Sequence, residues 1–117
     1  VGGGIDIEEA KRPVYFIVNG MKIGFVGASN AEKLRYTPQA TEDTPGILRA
    51  YDTTEYNAVI QEASKNCDYL IAYIHWGTED SNYLNSLSLL LQLRSLHLSV
   101  FMFFCYNRCL LQCFCRK

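Results

Sequence analysis

The chain has 117 residues, a formal net charge of −1, 49% hydrophobic and 20% charged residues. That is enough for one small domain with a modest core. The near-neutral balance gives no electrostatic reason to bind nucleic acid or an acidic membrane surface, and neither partner is expected.

The averages conceal a break near residue 85. Residues 1–85 carry 7 Lys and Arg against 12 Asp and Glu, a balance of −5; residues 86–117 carry 4 basic residues and no acid. All 8 glycines and all 3 prolines precede Asn85, and 4 of the 5 cysteines follow it. Two regions are therefore expected, residues 1–85 as a folded piece and residues 86–117 as an apolar, Cys-rich tail. The opening "VGGGIDIEEA" has neither the basic start nor the apolar core of a signal peptide. Lacking an initial Met, the chain reads as a piece of something longer.

In chain order, "VGGG" is a glycine turn suited to close backbone approach. Asp6 is placed to cap a short helix over "IEEAKR", with Glu8 and Glu9 at its positive end and Pro13 as its stop. "VYFIV-NG-MKIGFVG" predicts two strands around an Asn19-Gly20 type I′ turn. Residues 28–50 hold two prolines among Thr, Asp and Asn and read as a long surface loop. Asp52 with Glu55 resembles a capping box, and Tyr56, Val59, Ile60, Ala63 and Cys67 form one apolar stripe of the helix it starts.

Asp68 breaks that pattern. "YLIAYIH" then reads as a strand buried on both faces. Strand, helix, strand in this order implies a right-handed crossover and a parallel pair, with ligands gathering beyond the strands' carboxyl ends. His75 to Asp80 stand at such an end. Taken singly, these residues have plainer readings: His75 as a hydrogen-bonded structural residue, Trp76 as core, Glu79 and Asp80 as a solvated turn. The triple glycine is no phosphate loop, because the Lys and Ser/Thr of such a loop are missing.

Together, "VGGGIDIEEAKRPVYFIVNGMKIGFVGAS" and the later "DYLIAYIHWGTE" resemble the CapA family of poly-γ-glutamate capsule synthesis proteins. That family is similar in fold to calcineurin-like metallophosphoesterases. The resemblance implies an α/β, partial metallophosphatase-like sandwich made of a β-hairpin, long loop, helix and buried strand. It makes His75 a candidate metal ligand, with Trp76 and Gly77 shaping the turn beside it and Glu79 lining the same cleft. A divalent metal would polarise an oxygen and acidify bound water. The resemblance also implies an extracytoplasmic, cell-envelope location, and a small-molecule or polymer substrate for the intact family member.

The chain departs from the family at both ends of this match. The family's Gly-Asp, Asn-Asn-His and Gly-His-His-Pro-His-like motifs are absent, and His97 lacks the Gly or Pro that would mark it as a replacement. A catalytic zinc typically takes about three protein ligands. The residues offer His75 and, at most, Glu79, so no catalytic residue is assigned and the chain is expected to be inactive alone and to hold no metal.

The tail is expected to be helical or poorly ordered and foreign to the fold, as a frameshifted end would be. Residues 84–104 approach a membrane-spanning length, but Gln92, Arg94 and His97 lie mid-segment at high cost. The C-x3-C-x3-C-x-C spacing of Cys105, Cys109, Cys113 and Cys115 fits no common zinc knuckle. With later strands missing, the edge beyond "YLIAYIH" should be unpaired, save for non-specific cover by apolar residues of the tail, and the domain only marginally stable. Two alternatives to a capsule-synthesis fragment stay open: a non-catalytic structural or binding piece, and a small membrane-associated protein held by the tail.

Overall fold

A computed structural model describes residues 1–29, 37–50 and 53–75, together with the backbone of strands at Ser99–Cys105 and Cys109–Cys115. Strand β1 (Gly3–Gly4) leads into helix α1 (Ile7–Lys11). Asp6 is the cap: its carboxylate accepts the Glu9 N–H at 2.7 Å, and the Glu9 carboxylate accepts the Ile5 N–H at 2.7 Å. The first bond satisfies an amide of the opening turn that has no partner within the helix, and the second fastens the residue before the cap to that turn. The helix ends where Arg12 turns extended (ψ 122°), as a residue before proline prefers.

Strands β2 (Val14–Val18) and β3 (Met21–Ser29) pair antiparallel around Asn19 and Gly20, whose φ values of 51° and 79° define the expected type I′ turn. Strand β4 (Gly46–Ile47) pairs antiparallel with β1 in a two-stranded sheet. The Leu48 N–H donates to the Gly2 carbonyl at 2.8 Å, and the Ser29 N–H donates to the Leu48 carbonyl at 2.9 Å. Gly2 (φ 77°) must be glycine, because a Cβ there would stand 2.6 Å from the Gly27 carbonyl carbon.

These bonds correct the reading of residues 28–50 as a surface loop. Ala40, Leu48, Arg49 and Ala50 are buried, and Gln39 and Arg49 form single bridges to Ile47 and Ser29. Isolated apolar residues among polar ones show no period, so only the tertiary fold reveals that Ala40 and Leu48 to Ala50 reach the core.

Helix α2 (Thr53–Lys65) buries the expected stripe: Tyr56, Val59, Ile60, Ala63 and the following Cys67 all lie in the core. Asp52, its expected cap, lies outside the described residues. Glu55 pairs with Lys11 at 2.8 Å and ties α2 to α1. Asp68 then acts as a clamp. Its N–H donates to the Lys22 carbonyl at 2.8 Å and its carboxylate accepts the Lys22 N–H at 2.7 Å. That exchange sets the register of strand β5 (Tyr69–His75), which runs parallel to β3 from Ile23↔Tyr69 to Ser29↔His75.

The larger sheet has the order β2-β3-β5-β7-β6, where β6 is Ser99–Cys105 and β7 is Cys109–Cys115. Strand β7 pairs antiparallel with β5 along its whole length, and β6 pairs antiparallel with β7. Over Ser99–Cys105 and Cys109–Cys115 the tail is extended rather than helical, and the edge beyond β5, where cover by the tail is the expected alternative to an open edge, is taken by β7. The physical reason is that β5 offers a row of open backbone groups, and two uncharged runs rich in Val, Phe, Leu and Cys satisfy it by pairing. No helix among the described residues is long and apolar enough to cross a membrane. Residues 84–98 of the segment considered for that role lie outside the described residues.

Strand β5 is also not buried on both faces. Leu70, Ala72 and Ile74 pack with Val26, Ala28 and the α2 stripe in one core, whereas Tyr69 and Tyr73 are 40% and 41% exposed. The helix covers one side of the sheet; the other presents Val14, Phe16, Val18, Met21, Tyr69 and Tyr73 outward. Each fully buried Leu or Ile contributes about 1.5–3 kcal/mol, so Ile60, Leu70 and Ile74 anchor the layer that exists. The architecture is mixed α/β with two sheets, compatible with a partial metallophosphatase-like sandwich.

Candidate strand-end site

The parallel pair brings its carboxyl ends together. Ser29 closes β3 and His75 closes β5 as register partners, and Arg49 bridges to Ser29 from the other side. His75 is exposed on the face away from α2. Beyond it, the backbone of Cys109 opens β7 as the Cα partner of His75. A row of Arg49, Ser29 and His75 thus lies across the end of the sheet, where a parallel topology gathers ligands.

Two members of this row, Ser29 and Arg49, were not legible as site residues. Arg49 is 3% exposed, and its Nη2 donates to the Thr37 carbonyl. The backbone of Arg49 meets the end of β3, while its buried guanidinium is held at the Thr37 carbonyl, in surroundings where solvent screens charge weakly. The only hint in the sequence is that Leu48 and Ala50 flank it. Of the expected site residues, His75 stands where the sequence places it; Trp76, Gly77 and Glu79 lie outside the described residues.

A divalent ion needs several converging donors. Among the described residues no group of three or more His, Cys, Asp or Glu side chains converges, and the register partner of His75 in β3 is a hydroxyl residue. The donors among the described residues do not by themselves make up a metal site.

Ionic structure concentrates instead between α1 and α2, around a shallow groove of about 310 Å³ lined by Lys11, Arg12, Tyr15, Glu62 and Asn66 among others. The Glu55 carboxylate, with Glu8 assisting, holds the Lys11 ammonium above the ordinary lysine range. Burial pushes the Tyr15 phenol up, and the Lys65 ammonium holds the exposed Glu62 carboxyl down. The groove contains none of the residues expected at the site.

Parallel strands backed by a helix, with Ser29 and His75 at their carboxyl ends, make this an α/β protein whose candidate site is the end of the sheet. Residues 1–91 match the family model of the bacterial capsule synthesis protein PGA_cap, and the chain belongs to that family. It is 34% identical over 83 residues to the PGA biosynthesis protein CapA of Bacillus subtilis (strain 168), a match covering 70% of this chain. The chain spans 21% of that relative's length. The family match passes residue 85, where the composition breaks, by a few positions. No solved structure matches. A capsule synthesis family is consistent with a cell-envelope setting.

Proposed function

We propose that the chain is a central piece of a CapA-like protein of poly-γ-glutamate capsule synthesis, related to metal-dependent phosphoesterases and inactive by itself. The observation that carries this reading is the position of His75: exposed, at the carboxyl end of a parallel strand, within the family-matched residues. In the intact protein His75 would serve as one ligand of a divalent metal, with Glu79, Trp76 and Gly77 shaping the adjoining cleft. Arg49 supplies a buried cation suited to an anionic phosphate-type or polyglutamate substrate. Co-ligands from parts of the family sequence that this chain lacks would complete the centre, in an extracytoplasmic location.

Titration calorimetry of the purified chain with Mn²⁺ or Zn²⁺, alongside a phosphatase assay, tests this. The expected result is no tight metal binding and no turnover. Metal-stimulated phosphatase activity that disappears in His75→Ala would overturn the inactive reading while supporting the ligand role. Activity indifferent to His75→Ala would overturn both.

A further inference from the structure

Cysteine spacing does not say which of Cys105, Cys109, Cys113 and Cys115 can meet. Chain proximity treats Cys105–Cys109 and Cys109–Cys113 alike, because three residues separate the members of each. The strands treat them differently. Cys105 ends β6 and Cys109 begins β7, and the two are register partners across that ladder. Cys109 and Cys113 lie on one extended strand, where four steps of about 3.4 Å set their Cα atoms about 13 Å apart.

Directly opposed residues of an antiparallel pair have Cα atoms about 4.5–5.5 Å apart, within the range of about 4.4–6.8 Å that a disulfide spans. Among the described strands no other two cysteines are register partners: Cys113 is opposite Ile71 and Phe101, and Cys115 is opposite Tyr69 and Ser99. Cys113 and Cys115, two residues apart on β7, stand about 6.8 Å from each other, at the limit of that range. Cys67 is buried in the core beside α2, its Sγ donating to the Ala63 carbonyl at 3.3 Å.

We propose that Cys105 and Cys109 form an intrachain disulfide that ties β6 to β7 at the end of the sheet, while Cys113 and Cys115 remain thiols. The bond forms by exchange with a small disulfide such as oxidised glutathione. One cysteine thiolate attacks that reagent and releases one thiol; the other attacks the mixed disulfide and releases the second. Two cysteine S–H bonds are lost and one S–S bond forms. The two electrons given up reduce the reagent's S–S bond, whose sulfurs take the two protons. Cys109 is also the register partner of His75, so the bridge fixes the strand that borders the candidate site. The pairing does not rest on a metal-ligand role for His75; an extracytoplasmic location would supply the oxidising conditions in which such a bond persists.

Equilibration of the full chain in an oxidising glutathione buffer, then alkylation of the remaining thiols in urea and tryptic mapping, reads the pairing. Arg108 lies between the two cysteines, so trypsin separates residues 95–108 from residues 109–116 and only a bridge keeps them joined. The joined pair is expected, with fragmentation placing the link at Cys109 and with Cys67, Cys113 and Cys115 alkylated. Cys109→Ser should abolish the joined pair, whereas Cys113→Ser and Cys115→Ser should each leave it intact. Oxidation in concentrated urea, which removes the strands, should raise Cys109–Cys113 bridging to a level similar to Cys105–Cys109, since the spacings are equal. An alkylated Cys105 in the oxidised folded chain, a link from Cys105 to Cys113 or Cys115, a link between two chains on a non-reducing gel, or the same mixture of bridges with and without urea overturns the proposal.

Discussion

Tyr56 is a test of how burial is balanced in this core. Its side chain is fully buried at the start of α2, and its hydroxyl has no hydrogen-bond partner among the described residues. A buried hydroxyl left unsatisfied costs about 1–3 kcal/mol of desolvation, while its ring contributes apolar burial that phenylalanine keeps. Tyr56→Phe should therefore raise stability by about 1 kcal/mol, the reverse of the usual outcome for a core substitution. Tyr56→Ala, which also removes the ring, should cost about 3–5 kcal/mol.

The pH dependence gives a second reading of the same residue. Burial raises the Tyr56 phenol well above its ordinary range, so the folded state keeps the proton that the unfolded chain gives up near pH 10. The associated stability is complete below about pH 10 and declines above it, by up to about 1.4 kcal/mol per pH unit. Lys11 and Tyr15, both raised, decline in the same direction. Urea unfolding of wild type and Tyr56→Phe from pH 7 to 11, compared at constant slope, measures both effects. Tyr56→Phe should be the more stable at pH 7, and its advantage should widen above pH 10. A loss of more than about 1 kcal/mol in Tyr56→Phe at pH 7 would mean that the hydroxyl has a partner, and would refute the reasoning.

Two glycines separate steric from conformational cost. A Cβ at Gly46 would stand 2.5 Å from the Ala40 nitrogen and the Pro38 oxygen, so Gly46→Ala should cost more than about 2 kcal/mol, or prevent folding; Gly20 has open space but φ 79°, so Gly20→Ala should cost about 1–2 kcal/mol. Thermal melts of the two variants should keep that order. Asp68→Ala removes the carboxylate that receives the Lys22 N–H and should cost about 1 kcal/mol, with faster amide exchange at Lys22 as the direct sign.

Local chemistry set the elements that could be read from the residues alone. Asp6 satisfies the Glu9 amide in the first turn of α1 and Glu9 the Ile5 amide just before it, Asn19-Gly20 adopts the positive φ values its turn needs, and the stripe from Tyr56 to Cys67 seats α2. The strand-end placement of His75 follows from those elements in order, because a strand, a crossover helix and a parallel strand bring two carboxyl ends side by side. For the cap, the turn and the stripe the information lies within about a dozen residues, where period and turn chemistry operate.

What tertiary structure alone decided are the partnerships between distant segments. Arg49 and Ser29 meet because β1 and β4 draw the 37–50 segment back over the sheet through Gly2 and Leu48. Among the described residues the sheet ends at β2 and β6 rather than at β5, because β7 pairs with the β5 backbone. One face of β5 stays exposed because α2 covers only the other. Hydrogen bonding between remote strands depends on backbone groups that every residue carries, so side-chain patterns cannot say which strand a given edge will meet.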